Sequence, residues 1–154
     1  MPWTRDNNPE FLRLLKELNA NQVKEALDIT CYAGFLVAQQ AIIRMLKLGK
    51  GSIFFTGASA SKKGFANSSV FAMGKFGLRG LAQSLARELH PKNIHICHFI
   101  IDGIISKKDI SENLNNEHNK LDPDEIAKNY LNIYLQEKNC WTWEIELRPW
   151  LEKF

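Results

Sequence analysis

The sequence has little of what marks a secreted, metal-binding or nucleic-acid-binding chain. Its 154 residues include three cysteines, Cys31, Cys97 and Cys140. Odd in number, far apart and without a secretion signal, they read as reduced thiols that mostly pack as small apolar groups. Metal-ligand spacing is missing: His95 and His98 fall in an expected strand, where alternation points them to opposite faces, so no metal is expected. Charge of one sign is not concentrated either. Twenty basic and 17 acidic residues leave a net charge of +3 with no basic stripe, which argues against nucleic acid as a partner. Met1 to Glu10 is polar and holds Pro2 and Pro9, so the apolar core of a signal peptide is missing, and no apolar run is read as reaching spanning length. The expectation is a cytoplasmic protein without a membrane partner. At 45% hydrophobic and 24% charged residues, the chain can bury the core of one domain, residues 1–154.

What is present is a regular alternation of helical and strand-like segments. Phe11, Leu12, Leu14, Leu15 and Leu18 have helical spacing after Pro9, a short amphipathic helix to about Leu18. Asn21 is a candidate cap for a second helix from about Gln22 to Leu48, whose apolar character implies burial on more than one side and which Gly49-Lys50-Gly51 stops. Ser52 to Thr56 is a continuous apolar run, as in a parallel strand buried on both faces. Ser68 to Leu89 is helical, with serines suited to capping and Pro91 just beyond its end. Asn93 to Ile101 is a second buried strand before the Asp102-Gly103 turn. The polar stretch Ser106 to Lys120 reads as loop. Asp122-Pro123-Asp124-Glu125 opens a helix to about Gln136, and Trp141 to Leu147 is a last short strand. Strands joined through helices by right-handed crossovers give a three-layer α/β unit.

The stretch from Gly51 to Ile105 carries FFTGASASKKGF, then FAMGKFGLRGLAQSLARELHPKNIHICHFIIDG. It resembles the second half of the short-chain dehydrogenase/reductase fold, and most of the chain can be laid on it. The match combines a strand-end loop, an aromatic-x-x-x-Lys at the start of a long helix, a following apolar strand and a Gly turn, in that order. The closing ELRPWLEKF is similar to the end of a bacterial branch of the family in which phenylalanine commonly replaces the tyrosine. The resemblance implies a partial Rossmann-like three-layer sandwich, its parallel sheet lacking the N-terminal strands. It also implies NAD(P)-dependent oxidoreduction of a carbonyl/alcohol pair.

The resemblance also implies roles for single residues. The family tyrosine donates or removes the substrate proton; Phe71 holds its position, and Lys75, four residues later, holds that of the lysine, which also bonds the cofactor ribose. One helical turn separates them, so both face the same side. The family serine maps onto Ala58, with Ser59 one place off, and the family asparagine maps onto Thr30. Lys75 alone is retained of the four. Phenylalanine has no ionisable proton, so residue 71 cannot provide general acid–base catalysis. The turn containing Gly103 and Ile105 matches the segment whose backbone orients the nicotinamide, although Asp102 stands where the family usually has proline. The front-end strand, Gly-rich turn and helix that hold a pyrophosphate have no counterpart, because Gly49 and Gly51 precede a strand and act as a helix stop.

Each of these residues also has a plain structural reading. Lys75 alone would be a solvated helix residue, Phe71 a core residue, and Ser59 and Ser61 loop residues. Gly74, Gly77 and Gly80 in a helix each cost about 1 kcal/mol against alanine, which suggests close approach of another backbone. Tyr130, Trp141, Trp143 and Trp150 read as core or subunit contacts. The two long helices form the subunit contact in the family, which implies a homo-oligomer, and the Ser52–Thr56 strand should keep an unpaired edge that invites association. Two functional readings remain open. One is an impaired NAD(P)-dependent oxidoreductase with an unknown small-molecule substrate; the other is a non-catalytic interaction module or gene remnant derived from that fold.

Overall fold

The computed structural model describes residues 14–106 and 119–151. Its sheet has the order β1-β2-β5, with β1 Gly51–Ala58, β2 Ile94–Ile101 and β5 Glu144–Leu147, all parallel. The first long helix comprises α1 Ala20–Leu27, a π-helical turn Asp28–Tyr32 and α2 Ala33–Leu48. Helix α3 is Ser69–Leu89, and α4 is Pro123–Tyr134. A two-stranded parallel pair, β3 Ile104–Ile105 with β4 Lys120–Leu121, was not anticipated from the sequence.

The alternation of β2 builds two cores. Ile94 and Ile96 pack with Ala38 of α2 and Leu78, Ala82, Ala86 and Leu89 of α3. Cys97, Phe99 and Ile101, on the other face, pack with Ile133 of α4. Tyr130 of α4 stacks on Phe99, ring centroids 3.6 Å apart. These are the three layers expected for a parallel sheet covered on both faces. All eight residues of β2 are buried because it has a strand on each side. β1 pairs only with β2 among the described residues, and Phe55 and Gly57 are its only buried positions. The fully buried strand expected over Ser52–Thr56 is therefore corrected to one that, among the described residues, lies at the edge of the sheet with one side unpaired.

Several local expectations shift. Asn19, not Asn21, caps the first long helix, its side chain accepting from the Asn21 and Gln22 amides. Asp122 caps α4 as expected, accepting from the Asp124 amide. Ser68 precedes α3 and is buried, but its side chain makes no cap bond. Gly49 stops α2 in the left-handed region at φ 66°, where glycine carries no Cβ penalty. The amphipathic helix read from Pro9 lies partly outside the described residues; its described end is a 3-10 turn, Leu15–Glu17. The loop read over Ser106–Lys120 also lies mostly outside them.

The first long helix departs most from expectation. Only Ala26 and Ala38 are buried along it, whereas Tyr32, Phe35, Leu36, Val37, Ile43 and Leu46 are exposed. Burial on several sides does not occur because α3 and β1 cover one flank and nothing described covers the other. The absence of a spanning-length segment is likewise corrected: Ala20–Leu48, 29 residues, is long and apolar enough to cross a bilayer by length and composition. Glutamines 39 and 40 break the apolar run to the eye without making the helix polar on average. Trp150 is 78% exposed, so it is not a core residue, unlike Trp143, which packs against the first core.

Candidate active site

The carboxyl ends of β1 and β2 and the first turns of α3 define the site. Parallel α/β sheets place ligands at this edge, where the loops leaving the strands open a crevice. Register pairs Ala58 with Ile101, so the turn after β1 (Ser59–Ser61) and the turn after β2 (Asp102–Gly103) leave the sheet side by side.

Phe71 and Lys75 face the same side of α3. The Lys75 ammonium lies 5.8 Å from the centre of the Phe71 ring, within range of a cation–π contact. Its Nζ also donates to the Thr56 carbonyl at 3.1 Å, which ties the lysine to the end of β1. Burial lowers the Lys75 pKa from its ordinary value, because desolvation disfavours the charged form. Two ammonium donors remain for a ligand after the Thr56 bond.

Thr30, the residue at the asparagine position, sits inside the π-helical turn, a feature frequent at functional sites. Its hydroxyl donates to the Ala26 carbonyl at 2.6 Å and presses on α3 next to Lys75. A Cβ on Gly74 would lie 2.1 Å from Thr30 Oγ1, and one on Gly77 would lie 2.8 Å from Cys31 Sγ. Close approach therefore explains these two glycines. It does not explain Gly80, around which a Cβ would meet nothing within 4 Å.

Ser59 opens the turn after β1 and is half-buried, while Ser61 points inward and is fully buried against His98. The structure thus brings the turn carrying Ser59 against α3, and gives no hydrogen bond between Ser59 and Lys75 among the described residues. Gly103 packs under Pro149, whose Cδ would be 2.8 Å from an added Cβ. Ile105 is exposed and pairs in β3 with Leu121 of β4. Neither is hydrogen-bonded to Lys75. Asp102 explains the departure from proline at that position: its amide donates to the Leu147 carbonyl at 2.8 Å, a bond proline cannot make. Its carboxylate also takes Arg148 at 2.6 Å and lies 3.9 Å from Lys63.

Sequence reasoning missed the Thr56 carbonyl and the His98–Glu144–Arg79 cluster behind the turn. A backbone acceptor has no sequence signal. Tyr130, read as core or a subunit contact, reaches the same strand end, its hydroxyl 2.7 Å from Thr56 Oγ1. Among the described residues no group of three or more His, Cys, Asp or Glu side chains is placed to hold a metal.

Comparison with known proteins adds the family. Residues 11–119 match the short chain dehydrogenase family model. The chain is 30% identical over 104 residues to a 3-oxoacyl-[acyl-carrier-protein] reductase of Bos taurus, covering 68% of this chain and 43% of that protein. It is 25% identical over 135 residues to a sepiapterin reductase of Chlorobaculum tepidum, covering 88% and 55%. Among solved structures, a short-chain dehydrogenase from Rhodopseudomonas palustris is 38% identical with a TM-score of 0.74, covering 90% of this chain and 57% of that one. The chain spans about half the length of the curated relatives it matches. The order of its strands and helices, the placement of Lys75 at the end of β1 and the match over residues 11–119 agree: the chain belongs to the short-chain dehydrogenase/reductase family.

Proposed function

We propose that this chain carries the substrate-side part of an NAD(P)-dependent oxidoreductase of a carbonyl/alcohol pair, with Lys75 as the group that would hold the nicotinamide end of the cofactor. The supporting observation is Lys75 itself. It is half-buried, fixed by the Thr56 carbonyl at 3.1 Å and set one turn after residue 71. Two solved structures similar in fold contain 5-hydroxy-NADP and NADP, an alcohol dehydrogenase from Thermococcus sibiricus and a metagenomic short-chain oxidoreductase.

The residues present fit one half of such a cofactor. Lys75 has donors to spare for a ribose hydroxyl, and the backbone from Gly103 to Ile105 lies on the adjacent strand end. The β1–α3 connection, residues 59–68, holds Gly64 alone, so it forms no glycine-rich turn for the pyrophosphate half. A bound nicotinamide would supply or accept hydride, while Phe71 supplies no proton. Turnover by this chain alone is therefore weak, and Ser59 is too poor an acid near neutral pH to replace a phenol. The free thiols at Cys31, Cys97 and Cys140 support a reducing, cytoplasmic setting.

Titration with reduced nicotinamide dinucleotides, followed by cofactor fluorescence and melting temperature together, tests this reading, since a ligand that binds the native state raises its stability. Saturable binding that Lys75→Met weakens is the expected result. Absence of binding up to millimolar cofactor would refute it.

The exposed apolar flank of the first long helix favours a second reading, a non-catalytic module that associates through α1, α2 and α3 as a homo-oligomer. Tyr32, Phe35, Leu36 and Val37 on the first long helix, with Met73 and Phe76 on α3, are exposed large apolar side chains, more than a lone monomer usually displays in one region. Sedimentation of the wild-type chain and of Val37→Lys tests it: a dimer or larger species that the charge disperses is expected, and a monomeric wild type would refute it.

A further inference from the structure

A buried series of hydrogen bonds lies directly behind the turn that closes β1. The Ala58 amide donates to Ser61 Oγ at 3.2 Å. Ser61 Oγ is 3.4 Å from His98 Nε2, and His98 Nδ1 is 3.1 Å from Glu144 Oε2. Arg79 grips the same carboxylate with two bonds, Nε to Oε2 at 2.6 Å and Nη2 to Oε1 at 2.8 Å. Donor and acceptor chemistry allows this series one direction. Ionised Glu144 only accepts and Arg79 only donates, so His98 carries its proton on Nδ1. Neutral His98 then offers a lone pair at Nε2, and Ser61, whose oxygen already accepts from Ala58, donates its hydroxyl proton to it. Ser61 and His98 are both at 0% exposure, so this serine, imidazole and carboxylate cannot meet a substrate and are not a hydrolytic triad. Gly57 makes the meeting possible: a Cβ there would lie 2.3 Å from His98 Nε2 and 2.5 Å from Ser61 Oγ.

We infer that His98 is a positioning residue that holds the Ala58–Ser61 turn through Ser61 and releases it when its imidazole is protonated. An added proton at Nε2 reverses this bond: with the Ala58 amide and the imidazolium both donating to Ser61 Oγ, the serine's own proton loses its acceptor in a site at 0% exposure, a buried unmade bond that loosens the turn. The charged groups that face His98 are Arg79 and Lys75 from α3 and Glu144 from β5. Burial is the largest influence, and with the two cations it outweighs Glu144, so His98 is neutral near pH 7 and charges only on acidification. Ala58 lies two residues after Thr56 on the same strand, so loosening the turn reaches the carbonyl that anchors Lys75. Its functional meaning rests on the reading of Lys75 as a cofactor-side residue, but the test needs no cofactor.

Nitrogen NMR of histidine-labelled wild-type chain reads the tautomer directly, and amide exchange of Ala58 reads the turn. Near neutral pH, His98 is expected as the Nδ1–H tautomer. Corrected for the intrinsic rate, Ala58 protection is expected to fall about tenfold as the pH is lowered from about 8 to about 5. His98→Gln, which can accept from Ser61 but cannot titrate, is expected to keep that protection, and Ser61→Ala to lose it at every pH. An Nε2–H tautomer near neutral pH overturns the inference without any variant. The same acid loss in His98→Gln also overturns it. Nicotinamide titration of the same samples reports separately on Lys75.

Discussion

Returning the missing phenol offers a direct test of the site geometry, because Phe71→Tyr places a titratable group beside Lys75 without needing a cofactor. The Lys75 ammonium already lies 5.8 Å from the centre of ring 71. A phenolic oxygen on that ring lies about 6 Å from a charge over the ring face, at the outer edge of the separation at which an opposite charge lowers an acid's pKa by about 1–3 units. The bare Coulomb attraction at about 6 Å is about 3 kcal/mol at an effective dielectric of 20, and partial exposure of Lys75 reduces it. A tyrosine at 71 should therefore ionise about 1–2 pH units below its ordinary value near 10. Ultraviolet difference titration against the wild type measures this, since Tyr32, Tyr130 and Tyr134 occur in both proteins and cancel. Adding Lys75→Met to Phe71→Tyr should return the new phenol to about 10 or above. Ionisation at an ordinary pKa in Phe71→Tyr, or a depressed pKa that survives Lys75→Met, would refute the claim that the two positions form one electrostatic unit. If nicotinamide binds, the same variant should gain roughly 10²- to 10⁴-fold in carbonyl reduction.

Three further outcomes rest on the packing and the charges. Gly74→Ala would usually stabilise a helix by about 1 kcal/mol. Here the new methyl group meets Thr30 Oγ1 at 2.1 Å, so a net loss of about 1–2 kcal/mol is expected in urea unfolding, partly relieved by Thr30→Ala. Arg79→Leu strands the largely buried Glu144 carboxylate, and should cost about 1–3 kcal/mol in the same assay; Arg79→Lys should recover only part, for want of the two-point grip. Acidification should lower the melting temperature in two stages. His98 has a folded pKa below its ordinary 6.5, so the unfolded chain binds the extra proton and stability falls as pH drops from about 6.5 towards the folded value. Burial pushes the Glu144 carboxyl up, but Arg79 and His98 outweigh it and hold it below its ordinary value, so its contribution is full above about 4.5 and is lost as pH falls through the folded value. His98→Gln should shrink the first stage, the remainder belonging to His95, which burial also holds below its ordinary value, and leave the second; a scan unchanged by that substitution would refute the assignment.

The sequence made the order of elements legible because each rests on a local rule. The apolar β2 segment reads as a central strand, Asp122 and Pro123 announce α4, and Gly49 ends α2. Lys75 was legible through its register with residue 71, since four residues on a helix fix a shared face. What stayed hidden depends on pairing across the fold. Nothing local in Ser52–Thr56 distinguishes an edge strand from a central one, because burial there is set by a neighbour that the described residues do not provide. The same applies to the first long helix, whose apolar residues show that a cover is wanted but not where it comes from. Residues 46 positions apart, His98 and Glu144, meet only because β5 lies beside β2 in register His98↔Glu144. That register links the two halves of the site: the strand that completes the sheet also brings the carboxylate that orients His98. Loss of β5 should therefore disturb the turn after β1, two strands away, while leaving the Phe71–Lys75 spacing on α3 unchanged.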